Sequence, residues 1–150
     1  MKLTEHFTLE EMLRSDIATE FKITEQFQPG NFVLSWLEIL CENILEPLRL
    51  AIGKPIKVTS GYRCPRLNSH KKIKGSKNSQ HLHGQAADIQ VEGMTNMEII
   101  SVIKKLELPI DQCIEEFGRW VHVSHRANYR NEFLKAEKVN GETKYTPLIF

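Results

Sequence analysis

The stretch Ser79 to Ile89, SQHLHGQAADI, places His81, His83 and Asp88 within eight positions, broken by Gly84 and closing on the apolar residues Ala86, Ala87 and Ile89. A carboxylate carried into an apolar, strand-like run is costly to bury unless something neutralises it. A metal ion shared with a neighbouring imidazole supplies that charge.

Working outward, AADIQV reads as a strand, and TNMEIISVIKKL as a helix opened by a capping box of Thr95 and Glu98. Further on, CIEEF and WVHVS flank Gly118-Arg119 and read as a hairpin that brings Glu116 and His122 to the same end of a sheet. A second hairpin, FLKAEKV and ETKYTPL, turns at Asn140-Gly141, a pair suited to a type I′ turn.

Upstream, PIKVTS is rich in β-branched residues and predicts a strand, and the polar, basic run from Gly61 to Gln80 reads as a long surface loop. Between Asn31 and about Leu50, Phe32, Trp36, Leu37, Leu40, Ile44 and Leu48 recur at helical spacing, with Gly53 as the stop. Pro47 is expected to kink or shorten its last turns. FTLEEMLRS predicts a short helix with Thr8 as N-cap, Glu11 closing the box and Phe7 stapling onto Met12. Helices first, then strands with one intervening helix, favour a single α+β domain over residues 1–150, with N-terminal helices packed on a largely antiparallel sheet.

The 150 residues suffice for one core, and a net charge of +1 lacks the basic excess of an electrostatically driven nucleic-acid binder. The basic run His70 to Lys77 has no aromatic interleaving and reads as a solvated loop. Cys41, Cys64 and Cys113 form no C-x-x-C pair and are expected to be reduced thiols. The start, MKLTEHFTLEEML, carries acidic residues and no continuous apolar segment, and no later window approaches a membrane span. No signal peptide or membrane insertion is expected, and synthesis is expected in the cytosol.

A catalytic zinc takes three imidazole or carboxylate ligands and keeps one position open. His81, Asp88 and a distant histidine meet that need. In WVHVS, His122 lies between Val121 and Val123, which face the other way, and shares a strand face with Trp120 and Ser124. On spacing alone, a metal site and ordinary hydrogen-bonded or ion-paired residues stay equally open.

Taken together, SGYRCPRLN, SQHLHGQAADI and WVHVS resemble the zinc D-Ala-D-Ala carboxypeptidase family of metallopeptidases, particularly its compact phage and bacterial members, over nearly the whole chain. The family pattern S-x-H-x-x-G-x-A-x-D is matched by Ser79, His81, Gly84, Ala86 and Asp88, and W-x-H by Trp120 and His122. The resemblance implies His81, Asp88 and His122 as Zn2+ ligands, leaves His83 on a variable position, and implies the small α+β fold shared with the hedgehog signalling domain. Several members place an acid three residues before the last histidine, where this chain has Arg119, which cannot serve as a base. Glu116 takes that expectation, at a spacing resembling the hedgehog-like branch, with Glu115 on the opposite face of a regular strand. Arg63 matches the arginine that holds a peptide carboxylate, with Ser79 and Trp120 beside substrate.

The function so implied is zinc-dependent hydrolysis of peptidoglycan stem peptides, by a carboxypeptidase or related endopeptidase such as a phage lysis enzyme acting on the wall after release or export. A monomer is the default. The competing reading is an inactive, zinc-stabilised module that binds peptidoglycan or a protein. A non-haem iron oxygenase also uses two histidines and a carboxylate, but its tight H-x-D spacing is missing.

Overall fold

Both capping boxes form in the computed structural model, which describes residues 1–150. Thr8 Oγ1 accepts from the Glu11 backbone and Glu11 answers on the Thr8 amide, starting α1 (Leu9–Leu13). A short α2 (Asp16–Glu20) follows, and then a 3-10 turn (Thr24–Phe27) that carries the fully buried Gln26. Gln26 Nε2 donates to the carbonyls of Leu13 and Tyr62 while its Oε1 accepts from the Cys64 amide. One side chain thus satisfies three buried backbone groups and ties the N-terminal helices to the segment that holds Arg63.

The long helix is three joined pieces, α3 (Asn31–Leu40), a π turn (Cys41–Leu45) and α4 (Glu46–Ile52), ended by Gly53 in the left-handed conformation at φ 74°. Pro47 does not shorten it. The wider turn just upstream absorbs the clash and missing donor that a proline brings, so the apolar stripe of Leu37, Leu40, Ile44 and Leu48 stays buried across the joint. Phe32, expected on that stripe, is instead 65% exposed in the first turn, where the helix overhangs the core.

Six strands form one sheet: β1 (Lys57–Ser60), β2 (Ala86–Gln90), β3 (Gln112–Glu116), β4 (Trp120–Ser124), β5 (Glu132–Val139) and β6 (Glu142–Pro147). Their order is β1-β2-β4-β3-β5-β6, antiparallel throughout except where β5 runs parallel to β3. The fold is the expected α+β class with a largely antiparallel sheet. Asn140 and Gly141, at φ 52° and 82°, turn β5 into β6 as the sequence predicts.

Helices cover one face only. Ala87, Ile89, Cys113, Val121 and Val123 pack there against α3, α4 and the buried Ile99, Ile100 and Ile103 of α6 (Asn96–Lys105). Each fully buried Leu or Ile contributes roughly 1.5–3 kcal/mol, so this layer anchors β2, β3 and β4. Residues of opposite parity face away from the helices, and these include Asp88, Ile114, Glu116, Trp120 and His122.

The run from Gly61 to Gln80 is not the featureless loop read from its polarity. Pro65 starts a short α5 (Pro65–Asn68), and Tyr62, Cys64, Leu67 and Asn68 are buried. The lysines of its basic stretch, Lys71, Lys72, Lys74 and Lys77, do lie at the surface. The three cysteines are free and buried, and burial pushes the Cys41 thiol up to about 12, leaving it unreactive. No helix is long and apolar enough to cross a membrane.

Candidate metal centre

Strand register brings the first two chemical groups together. Asp88 of β2 is paired with His122 of β4, and their side chains meet with His122 Nδ1 3.0 Å from Asp88 Oδ1. His81 arrives from outside the sheet on a 3-10 turn (Gln80–His83), its own amide donating to the capping Ser79 Oγ. Gly84 ends that turn at φ 75°, where an added Cβ would lie 2.7 Å from the Val33 carbonyl oxygen. Only glycine fits both the left-handed conformation and the close approach to α3. The result sets His81 Nε2 3.4 Å from Asp88 Oδ1.

His81, Asp88 and His122 are all buried, and their donor atoms lie within 4.8 Å of one another, so the group can hold a metal ion. Two donors bound tetrahedrally to one zinc stand about 3.4 Å apart, close to the separations seen. Proton inventory gives a sharper test of fit. His81 Nδ1 lies 2.6 Å from the Gly61 carbonyl, which can only accept, so Nδ1 carries the hydrogen and Nε2 presents a lone pair to Asp88. Burial holds the His81 pKa below its ordinary value, keeping the ring neutral. Two buried acceptors therefore face each other across 3.4 Å, an arrangement that a cation between them relieves.

Charge elsewhere in the cluster follows the same logic. Burial alone would raise the Asp88 carboxyl, but the hydrogen bond from His122 Nδ1 and the charge on that ring outweigh it and hold the group below the usual carboxylate range. His122 is raised: burial opposes its charge, while the bond to Asp88 and the nearby Glu116 favour it. A bound cation takes over the role of that proton, so metal uptake releases it.

Glu116 stands on the same face, its Oε1 3.6 Å from His122 Nδ1 and accepting a 3.1 Å bond from Trp120 Nε1. Burial, with help from the Asp88 charge, raises its pKa despite the opposing pull of His122, Trp120 and Arg63. Glu115 points to the other face, where its Oε1 accepts from Asn96 Nδ2 at the start of α6. Only Glu116 reaches the cluster. Arg119 sits exposed in the β3–β4 turn, its amide donating to the Glu116 carbonyl.

Arg63 flanks the cluster on the β1 side, with its backbone amide bonded to the His81 carbonyl and its Nη2 3.4 Å from Ser79 Oγ. The guanidinium is largely buried, and its Nε has no partner in the protein. Burial works against its charge, while the nearby Asp88 and Glu116 support it. Free donors of a buried guanidinium are suited to a carboxylate. Tyr62, by contrast, belongs to the core, and His83 is exposed with no role in the cluster.

A polar hub escaped the sequence reading. Asp111, with its side chain fully buried, accepts from Arg130 Nε and Nη2 at 3.0 and 2.8 Å and from the Arg130 amide, while Arg126 Nε lies 3.1 Å away. Gln80, next to His81, donates to its Oδ2 at 3.0 Å. Asp111 thereby ties the turn that carries His81 to the start of β3. The signal was present, because an aspartate inside the apolar run PIDQCI is the same anomaly that singled out Asp88.

These groups line an open cleft of about 2720 Å³ that runs from Lys54 to Leu148. That is several times the roughly 300–1,000 Å³ of a small-molecule pocket, so the cleft suits an extended chain. Two imidazoles and a carboxylate converging beside a second carboxyl define a metal-dependent hydrolytic centre. The family model for peptidase M15 matches residues 5–124, and the chain belongs to this family of zinc-dependent metallopeptidases. No curated protein matches the chain. The match stops at the end of β4, so β5 and β6 lie beyond it.

Proposed function

We propose that this chain is a zinc peptidase that hydrolyses peptidoglycan stem peptides, as a D-Ala-D-Ala carboxypeptidase or a related endopeptidase. The observation that carries the reading is the convergence of His81, Asp88 and His122 with Glu116 on one side and Arg63 on the other. In this reading, His81 Nε2, Asp88 and His122 Nδ1 hold the metal. Zinc bound there supplies a Lewis acid for the scissile carbonyl and lowers the pKa of water.

The rest of the chemistry belongs to the protein. Glu116 takes a proton from the attacking water and returns it to the leaving amine, and a carboxyl raised toward neutrality suits both transfers. Trp120 Nε1 fixes Glu116 Oε1, so the carboxylate is oriented before substrate arrives. Arg63 receives a substrate carboxylate on its planar fork, with Ser79 Oγ beside it. Arg119 does not weigh against activity, because Glu116 fills the base position from the facing strand. The setting that fits is a monomeric lysis enzyme, made in the cytosol and acting on the wall after release.

Mass spectrometry of defined muropeptides incubated with zinc-loaded protein tests this, run beside a chelated sample and the Glu116→Gln variant. Chelator-sensitive cleavage that falls at least 100-fold in the variant is expected, and product masses name the bond. Retained zinc with no cleavage across a broad muropeptide set would instead support the binding module.

A further inference from the structure

The two strands outside the family match continue the cleft. Strand pairing sets Asp88, His122, Ile114, Leu134 and Pro147 in one row across β2, β4, β3, β5 and β6, and Trp120, Glu116, Ala136 and Tyr145 in the next. All share the face that the helices leave open. Beyond Glu116 and His122 the two rows turn apolar: Ile114 and Ala136 are buried, Leu134 is half-buried and Tyr145 stands 54% exposed above them. Tyr145 and Leu134 line the same cleft as the metal cluster.

Direction follows from Arg63. It flanks the cluster from β1, at one side of the sheet order, whereas the apolar rows extend to β6 at the other. A peptide whose carboxylate is held by Arg63 and whose scissile bond lies at His122 must send its remaining residues toward the hairpin. Three strand spacings separate β4 from β6, about 14 Å, which is about four residues of extended chain.

Resting on the peptidase reading above, we propose that the β5–β6 hairpin is a substrate shelf, on which Tyr145, with Ala136 opposite it and Leu134 and Ile114 in the adjoining row, seats the acyl-side residues of a stem peptide three to four positions before the cleaved bond. The shelf makes length on that side a determinant of specificity. A dipeptide held at Arg63 does not reach Tyr145, whereas a pentapeptide does.

Calorimetric titration of the zinc-loaded Glu116→Gln protein, which stops turnover, compares a stem pentapeptide with its own C-terminal dipeptide. The pentapeptide is expected to bind at least tenfold more tightly, and adding Tyr145→Ala to reduce that advantage below threefold. Lys144→Ala, one residue along β6 on its opposite face, is expected to preserve it, and so separates contact from general disturbance of an edge strand. No advantage in the starting protein, an advantage that survives Tyr145→Ala, or an equal loss in Lys144→Ala overturns the shelf. Failure of the peptidase reading shows separately, as zinc-loaded parent protein that cuts neither peptide.

Discussion

The centre of the sheet and its β6 end differ in how they are held. β2 and β4 are buried along nearly their whole length, with apolar residues against the helices and Asp88 and His122 on the opposite face. β5 and β6 expose most of their residues and, apart from Phe133 against the core and the buried Ala136, depend on backbone pairing and one tight turn. Groups that must sit within a fraction of an ångström of one another occupy the clamped strands, and the surface that needs only to be broad and apolar occupies the loose ones.

The comparison breaks most severely at the clamped strands. His122→Ala is expected to abolish stoichiometric zinc and, by stripping the buried Asp88 of a partner, to cost about 3 kcal/mol of stability. Metal analysis with thermal unfolding checks it, and a variant that binds zinc as tightly as the parent overturns the ligand set.

Asp111→Asn tests the joint between the two regions and is expected to cost about 2 kcal/mol at neutral pH, since Arg126 and Arg130 are partly solvated. Burial would raise the Asp111 carboxyl, but the bonds from Arg130 prevail and its pKa lies below the ordinary value. Its contribution is therefore present above the unfolded carboxyl pKa of about 3.9 and lost as pH falls through the lower folded value. Denaturant unfolding of parent and variant should converge as pH drops below about 4.

The smallest effect belongs to the loose end. Gly141→Ala forces a side chain into φ 82° and is expected to cost about 1 kcal/mol. Hydrogen exchange should quicken in β5 and β6 amides while zinc content stays at the parent level.

What could be read beforehand was local. Capping boxes at Thr8 and Thr95, the stop at Gly53 and the Asn140-Gly141 turn each depend on a few adjacent residues, and all appear as read. Alternation in WVHVS also placed His122 opposite Val121 and Val123. What escaped depends on partners distant in sequence. Parallel pairing of β3 with β5 has no local signature, and the π turn ahead of Pro47 is set by keeping one stripe buried through the joint. α5 is seated by Leu67 in the core and by Gln26, 38 residues before the Cys64 amide that it holds. At the cluster, strand parity separated Glu116 from Glu115, but the Trp120 bond that fixes Glu116 and the Asp111 hub needed the folded chain.

Gly61 joins the metal cluster to the first helix. Its carbonyl fixes the hydrogen on His81 Nδ1, and a Cβ at the same residue would collide with the Met12 carbonyl oxygen of α1. Any larger residue there must push the first helix away or tilt the carbonyl, and the tilt turns His81 with it. Selection for a better-seated amino terminus and selection for chemistry thus act on the same backbone atoms, and a library that varies position 61 cannot improve one while sparing the other.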